Sequence, residues 1–203
     1  MLSPRYLPQG LLSVVIAVFA WSAIHPSDGF TWLLEVMPVL IALPLILWLR
    51  HAFPLSRLLL LLLAIHAVIL MVGGHYTYAE VPWFNGLRDH FHWDRNYYDR
   101  VGHVAQGFVP ALLLREVFFR KQVVSQSAWS VFIITCMCLG FSAFYELIEW
   151  WVAISTGTQA EAFLATQGDV WDTQWDMCLA LLGALFAQLS LAKVHDRSMA
   201  ALE

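Results

Sequence analysis

Long apolar segments, separated by short polar ones, make up most of the chain. A helix needs roughly 20 predominantly apolar residues to span a bilayer, and several segments approach that length. These segments lie at about Leu7–Ile24, Phe30–Leu49, Leu58–Gly74, Arg100–Phe118, Ala128–Val152 and Asp172–Val194. The pattern predicts an all-α fold, in which a polytopic bundle of six transmembrane helices forms a single domain over residues 1–203.

The composition agrees with a membrane protein and excludes several other classes. Of the 203 residues, 60% are hydrophobic and only 13% are charged, and the mean hydropathy is +0.65. These values exclude an ordinary soluble enzyme and a disordered protein, since neither could cover its surface with so few charges. The net charge of -4 offers no basic footprint for nucleic acid. The three cysteines lie in apolar stretches and exclude a disulfide framework.

Basic residues gather at one set of predicted helix ends. That set holds Arg5, Arg50, Arg57, Arg115, Arg120, Lys121, Lys193 and Arg197, which are eight of the 11 basic residues. Because short cytoplasmic loops carry an excess of lysine and arginine, this side is predicted to be cytoplasmic. We therefore expect both termini in the cytoplasm, a bacterial inner-membrane location, and an outer loop at Gly74–Asp99 that forms a short interfacial helix.

Acidic residues follow the opposite distribution and are placed by helical spacing. Three pairs lie three or four residues apart, with Asp169 just before the last of them: Asp99 with His103, Glu146 with Glu149, and Asp172 with Asp176. Residues at this spacing share a helix face. Because ionisable groups inside a bilayer are costly unless they are paired or functional, we expect these helix ends to converge on one polar site at the outer face.

Three kinds of chemistry could use such a site. His103, Glu146, Glu149, Asp169, Asp172 and Asp176 are candidate ligands of a divalent metal ion. Asp99, His103, Glu146 and Glu149 are candidate acid/base groups, and a chain of such groups could also relay protons. Arg100 would pair with an acid or contact a phosphate. The structural alternative is polar packing between helices, with Asp99 and Asp172 as helix caps.

Several other positions carry simpler expectations. Gly73 and Gly74 are expected to stop the third predicted helix. Tyr76 and Tyr78 are expected to be interfacial anchors. His195, near a predicted membrane end, is expected to be solvated.

Three motifs resemble a known family. They are Tyr98-Asp99-Arg100-Val101-Gly102-His103, Tyr145-Glu146-Leu147-Ile148-Glu149-Trp150 and Gly168-Asp169-Val170-Trp171-Asp172. Over nearly the whole chain, the sequence resembles the YjdF-type inner-membrane proteins, an uncharacterised multi-pass bacterial family. More distantly, the motif order is similar to that of VanZ-like membrane proteins. Arg100, Glu149 and Asp176 stand where the VanZ-like pattern has lysine, glutamine and asparagine. The resemblance implies an integral membrane protein and supplies no established reaction.

Three functional hypotheses follow from the sequence. The first is a membrane-embedded site that binds or acts on a lipid or polyprenyl-phosphate head group with a divalent metal, with membrane lipids as partners. The second is a non-catalytic envelope protein whose polar cluster is structural. The third is a proton- or cation-coupled transporter, which is less favoured because little beyond His66 and Glu116 continues a polar path to the cytoplasmic side. No nucleophile or nucleotide motif selects an enzyme class, and substrate, metal and oligomeric state stay open.

Overall fold

A computed structural model describes residues 6–157 and 161–202, and the regular structure within them is entirely helical. The elements in chain order are α1 (Tyr6–Ser22), α2 (Gly29–Leu49), α3 (Arg57–Tyr76), a 3₁₀ turn (Tyr78–Glu80), α4 (Pro82–Phe91), α5 (Tyr98–Arg120), α6 (Ala128–Thr156), α7 (Glu161–Leu164) and α8 (Asp172–Ala200). The predicted all-α membrane fold is confirmed, and each predicted span coincides with one long helix.

Four of these helices, α2, α3, α6 and α8, are long and apolar enough to cross a membrane by length and composition. The apolar part of α1, Pro8–Ser22, is shorter. Helix α5 has 23 residues but contains charged residues at both ends, and it packs chiefly against α8, with further contacts to α3 and α6. Its polar groups therefore face protein rather than lipid. The count of six spans and the orientation stay predictions.

Helices α5 and α8 form the closest packed pair, and two glycines permit that approach. A Cβ atom at Gly107 of α5 would lie 1.8 Å from the carbonyl oxygen of Ala180, and one at Gly183 of α8 would lie 2.3 Å from that of Val104. Small residues at such contacts let helix backbones come together in membrane proteins. This contact fixes the register of the two helices that carry most of the polar residues.

Helix starts are capped by a different set of residues than the sequence suggested. Asp28, Ser56 and Ser127 accept hydrogen bonds from the first turns of α2, α3 and α6. Helices α5 and α8 begin without a side-chain cap. The interpretation of Asp99 and Asp172 as caps is therefore wrong, because both side chains point to other partners.

The long helices alternate in direction, so their ends form two groups. At one end, His75 Nδ1 donates to the carbonyl oxygen of Ser22 at 3.0 Å, which joins the end of α3 to that of α1. At the other, the backbone N–H of Leu58 donates to Ser198 Oγ at 3.1 Å, which joins the start of α3 to the end of α8. We call the first group the acidic end, because α5 and α8 begin there with Asp99 and Asp172, and the opposite group the basic end.

Expectations for the end of α3 need correction. Helix α3 continues through Gly73 and Gly74 to Tyr76, so these glycines do not stop it. Tyr78 is 5% exposed rather than an interfacial anchor. A Cβ atom at Gly73 would lie 2.3 Å from the Tyr78 ring, so the glycine provides the space that this ring fills. The predicted short helix in the following segment is confirmed as α4, on which Trp83 is 76% exposed.

Candidate functional site

Three helices bring the predicted acidic residues to the acidic end. The first turns of α5 supply Asp99 and His103, the first turns of α8 supply Asp172 and Asp176, and the second half of α6 supplies Glu146 and Glu149. All six side chains are buried. The i,i+3 and i,i+4 spacing therefore places each pair on the inner face of its helix, as expected from the sequence.

His103 lies between two carboxylates. Its Nε2 is 3.4 Å from Asp99 Oδ1 and 3.6 Å from Asp176 Oδ1. Its Nδ1 lies 2.9 Å from Gln106 Oε1, and since an amide oxygen only accepts, Nδ1 carries a hydrogen there. One ligand atom each from Asp99, His103 and Asp176 lies within 4.8 Å of the other two. This group has the composition and spacing of a metal site whose histidine is oriented by an outer partner.

Two arginines neutralise the neighbouring aspartates. Arg95 Nη1 lies 2.6 Å from Asp172 Oδ1 and 3.3 Å from Asp169 Oδ2. Arg100 Nη2 contacts the same two oxygens at 2.7 and 3.1 Å, and Arg100 Nη1 bonds to Asp176. Both guanidinium groups also lie within 4 Å of Asp99 Oδ2. Asp169 and Asp172 are thus paired with guanidinium groups, whereas Asp99 and Asp176 are shared between arginine and His103.

The segment before α8 is held against the start of α5 by polar contacts. Arg95 Nη2 donates to the carbonyl oxygen of Ala165 at 3.3 Å. Gln167 accepts from the backbone N–H of Asn96 and donates to its carbonyl oxygen, both at 2.9 Å. The backbone N–H of Trp171 donates to Asp169 Oδ1 at 2.9 Å. These bonds fix Asp169 beside the two arginines and place the segment over the acidic end.

A fourth helix, α2, adds an acidic residue beside the site. Glu35 of α2 is 5% exposed, and its Oε2 accepts from the Tyr145 hydroxyl at 3.4 Å. Among the described residues, Glu146 Oε1 and Asp99 Oδ2 have no hydrogen-bond partner. Buried polar atoms are normally bonded, and Asp99 Oδ2 has two guanidinium groups within 4 Å, so Glu146 Oε1 marks the part of the site that is left incomplete.

Sequence reasoning found most of this site and missed three contributors. The residues of α5 and α8 converge as expected, and Arg100 pairs with carboxylates, which is one of its two expected roles. Asp169 and Asp172 contact guanidinium groups, and Glu146 and Glu149 are buried on α6, which packs against α5 and α8. Arg95, Gln106 and Glu35 were not singled out. Arg95 is four residues before Asp99, and Gln106 is three after His103. Glu35 is an acid within a 21-residue apolar helix, which is a recognisable signal of a buried polar site.

A second buried cluster occupies the basic end. Glu116 accepts from the backbone N–H of Ser56 at 2.8 Å, from Arg120 at 2.7 Å and from His195 Nε2 at 3.0 Å. Arg115 lies 3.2 Å from His195 Nδ1, and since a guanidinium only donates, Nδ1 accepts. His195 is fully buried, so the expectation that it is solvated is wrong. Because α5 and α8 both end here, this cluster joins their last turns to the α2–α3 loop.

Comparison with known proteins adds two findings. The family described as "Predicted membrane protein (DUF2238)" matches residues 7–197. The Inner membrane protein YjdF of Escherichia coli strain K12 is 44% identical over 198 residues, which cover 98% of this chain and 94% of that protein. No solved structure matches the chain. The predicted resemblance to YjdF-type proteins is confirmed, and that to VanZ-like proteins stays a prediction.

Proposed function

Because the chain belongs to the DUF2238 family of predicted membrane proteins, we propose that its acidic end binds a divalent metal ion and presents it to the phosphate of a membrane-lipid head group. The proposed ligands are Asp99, His103 and Asp176. Glu146, which the sequence assigns to the metal, lies outside this group of three. The observation that carries this proposal is the approach of three ligand atoms to within 4.8 Å of one another.

The donor set favours a metal ion of intermediate hardness. Two carboxylate oxygens and one imidazole nitrogen suit Zn²⁺ or Mn²⁺ better than Ca²⁺, which takes oxygen ligands throughout. Gln106 holds His103 so that Nε2 faces Asp99 and Asp176. A histidine oriented through its other nitrogen is the usual arrangement at metal centres.

The charge balance of the acidic end supports a bound cation. Its carboxyl groups belong to Glu35, Asp99, Glu146, Glu149, Asp169, Asp172 and Asp176, and its cationic groups to Arg95, Arg100 and, when protonated, His103. The carboxyl groups therefore outnumber the cationic ones in every protonation state of the histidine. Burying uncompensated charge is expensive, so the excess must be met by protons or by a cation from solution.

A lipid phosphate is the ligand class that we propose for this metal. The ligands lie in the first turns of α5 and α8, and we expect these helix starts to lie at the level of the lipid head groups. A divalent ion there would bind phosphate oxygens and polarise the phosphorus. Arg100 donates to Asp176 and would add a cationic contact for the phosphate. Glu146 beside His103 would provide the acid/base group if the bound head group is also transformed.

The proposal is tested by metal binding to detergent-purified full-length protein. Mn²⁺ titrated into the parent and followed by electron paramagnetic resonance should bind at one ion per chain. Asp176→Asn and His103→Gln should each weaken binding by at least about tenfold, because each removes a ligand.

Glu80→Gln is the matched control, since Glu80 is an exposed carboxylate at the same end of the molecule, and it should bind as the parent does. Failure of the parent to bind Mn²⁺ or Zn²⁺ would overturn the proposal and favour the structural role for the cluster. Equal affinity in the parent and both ligand variants would overturn the assignment of the ligands.

A further inference from the structure

Three buried glutamates near the proposed metal ligands form no ion pair within 4 Å among the described residues. Glu35, Glu146 and Glu149 are 5%, 8% and 9% exposed. The arginines of the acidic end form ion pairs with Asp99, Asp169, Asp172 and Asp176 and with none of these glutamates. The charge excess of the acidic end is therefore concentrated on the facing sides of α2 and α6.

Unsatisfied polar atoms surround the same glutamates. Within the described ranges, Thr31 Oγ1, Ser142 Oγ and Glu146 Oε1 are buried and have no hydrogen-bond partner. Thr31 lies one turn before Glu35 on α2, and Ser142 lies one turn before Glu146 on α6, so each hydroxyl shares a face with a glutamate. Buried atoms of this kind are almost always bonded in folded proteins, so these three point to a hydrogen-bonding partner that comes from outside the chain.

The region around these glutamates lies between α2 and α6, and these two helices do not pack together along their length. Helix α2 packs mainly on α3, and α6 on α8 and α5, while the short α7 contacts both α2 and α6. The Tyr145 hydroxyl reaches Glu35 across this boundary. The ring of Tyr145 packs against Phe163 of α7, with 6.3 Å between the ring centres. Aromatic rings next to carboxylates form a favourable environment for an organic cation.

We propose that Glu35, Glu146 and Glu149 bind a primary ammonium group, so that the acidic end recognises a phosphoethanolamine head group. This inference rests on the proposed function, since the adjacent metal would hold the phosphate. Phosphoethanolamine carries a phosphate and an ammonium separated by two carbons. Helix α6, which carries Glu146 and Glu149, packs against α5, which carries the proposed ligands Asp99 and His103, and Tyr145 of α6 reaches Glu35. The substrate class is thereby narrowed from any phosphorylated lipid to an aminophospholipid.

Two alternatives for the cation fit less well. A second metal ion would need three ligand atoms close together, and in the described part of the chain only Asp99, His103 and Asp176 provide such a group. A choline head group has no N–H to donate, whereas the unpartnered carboxylate oxygen Glu146 Oε1 accepts, and the hydroxyl groups of Thr31 and Ser142 can accept as well as donate. A primary ammonium supplies three donors and a positive charge, and it satisfies both requirements.

The test measures head-group preference in the presence of saturating Mn²⁺. Full-length protein in detergent is titrated with short-chain phosphatidylethanolamine, phosphatidylcholine and phosphatidylglycerol, and binding is followed by tryptophan fluorescence. The parent should prefer the ethanolamine lipid over the choline lipid by about tenfold or more, the amount expected for charge-assisted hydrogen bonds. Glu35→Gln and Glu149→Gln should each remove most of this preference and leave Mn²⁺ affinity within a factor of about three.

Each outcome bears on one of the two proposals. Equal binding of the ethanolamine and choline lipids to a parent that binds Mn²⁺ would overturn the ammonium site and leave the metal site standing. A parent that does not bind Mn²⁺ would overturn the proposed function itself. Retained Mn²⁺ binding shows that each glutamine variant is folded, and Glu80→Gln should behave as the parent. Free phosphoethanolamine is titrated in parallel, and binding as tight as that of the lipid would identify a soluble compound as the source of the head group.

Discussion

Arg95 illustrates how much of the acidic end depends on one side chain. It lies before the first turn of α5, is 6% exposed, and contacts carboxylates of Asp99, Asp169 and Asp172. Exposed ion pairs contribute little to stability, but removing one partner of a buried pair leaves an uncompensated charge. The contribution of Arg95 to stability is therefore revealed by a substitution that removes its guanidinium group.

We predict that Arg95→Met destabilises the protein by about 3–5 kcal/mol, because Asp172 loses its closest cationic partner. The loss should appear as a lower midpoint of thermal unfolding of the purified protein. Adding Asp172→Asn to that variant should recover part of the loss, since it removes the unpaired charge. Arg88→Met is the control, because Arg88 pairs with the exposed Asp89 and should cost at most about 1 kcal/mol. An equal loss in both single variants would contradict this account.

Asp28 offers a pH-dependent prediction outside the membrane-spanning helices. Its carboxylate accepts from the backbone N–H of Thr31 at 2.6 Å, and this bond holds the pKa of Asp28 below its usual value. A lowered pKa in the folded state stabilises the protein above the unfolded value of about 3.9, and the gain is lost as pH falls through the folded value. Asp28→Ala should therefore cost about 1 kcal/mol near neutral pH and less in acid.

Thermal unfolding of the parent and of Asp28→Ala between neutral pH and about pH 3 measures this difference. Asp28→Asn is the matched control, because the amide oxygen can still cap α2 but does not titrate in this range. Its difference from the parent should stay small at neutral pH. A gap between parent and alanine variant that widens as the pH falls would contradict the prediction.

Whether a residue of the site could be predicted from the sequence depended on how strongly its type stands out from its neighbours. Asp99, His103, Glu146 and Asp176 were identified because charged residues at helical spacing inside apolar segments are conspicuous. Their partners were not identifiable, since the sequence gives faces and depths but not which arginine reaches which carboxylate. His195 was misjudged for a related reason. Its position near a helix end suggested water, and only the packing of Glu116 and Arg115 around it makes it buried.

At the scale of elements, the length of apolar segments determined most of the fold. The predicted span at Phe30–Leu49 differs from α2 by one residue at its start. The predicted spans at Ala128–Val152 and Asp172–Val194 end early, because α6 and α8 continue beyond their apolar parts to Thr156 and Ala200. Polar residues extend a helix when they find partners in other elements, and hydropathy does not report those partners. Hydropathy is equally uninformative for α5, because its place in the bundle follows from its contacts with neighbouring helices and not from its composition.

The contact between α5 and α8 gives the prediction for this scale. Gly107→Ala would place a methyl group 1.8 Å from the Ala180 carbonyl oxygen, which is backbone and cannot rotate away. The two helices must separate, so we expect a loss of about 1–3 kcal/mol or more in thermal stability. Separation would also move Asp99 and His103 away from Asp176, so Mn²⁺ affinity should fall together with stability.

Gly140→Ala is the matched control for that variant. Gly140 lies within α6, and nothing is within 4 Å of the position that its Cβ would occupy. Alanine is favoured over glycine inside a helix by roughly 1 kcal/mol, so this change should be neutral or stabilising and should leave Mn²⁺ affinity unchanged. A Gly107→Ala protein as stable as the parent would show that the helices are less tightly packed than described.

At the scale of the whole molecule, charge is separated along the long axis of the bundle. The carboxylates of the proposed site lie at one end, and Arg115, Arg120 and Glu116 form the buried cluster at the other. Both clusters are built on α5 and α8, so the same pair of helices carries a cluster of ionisable residues at each end. The excess of basic residues at the second end is the sequence signal that predicts its side of the membrane.

The orientation is the last prediction, and it follows from that separation. If the basic end faces the cytoplasm, a fluorescent reporter fused after Glu203 should be active, because α8 ends among the basic residues. A reporter that works only outside the cytoplasm should be active when inserted at Gly86 in α4 and inactive in the α5–α6 loop near Gln122. The opposite result at all three positions would invert the molecule and place the proposed metal site on the cytoplasmic side. Activity at Gly86 and Gln122 on the same side would instead contradict a membrane-spanning α5, because that helix separates the two insertion points.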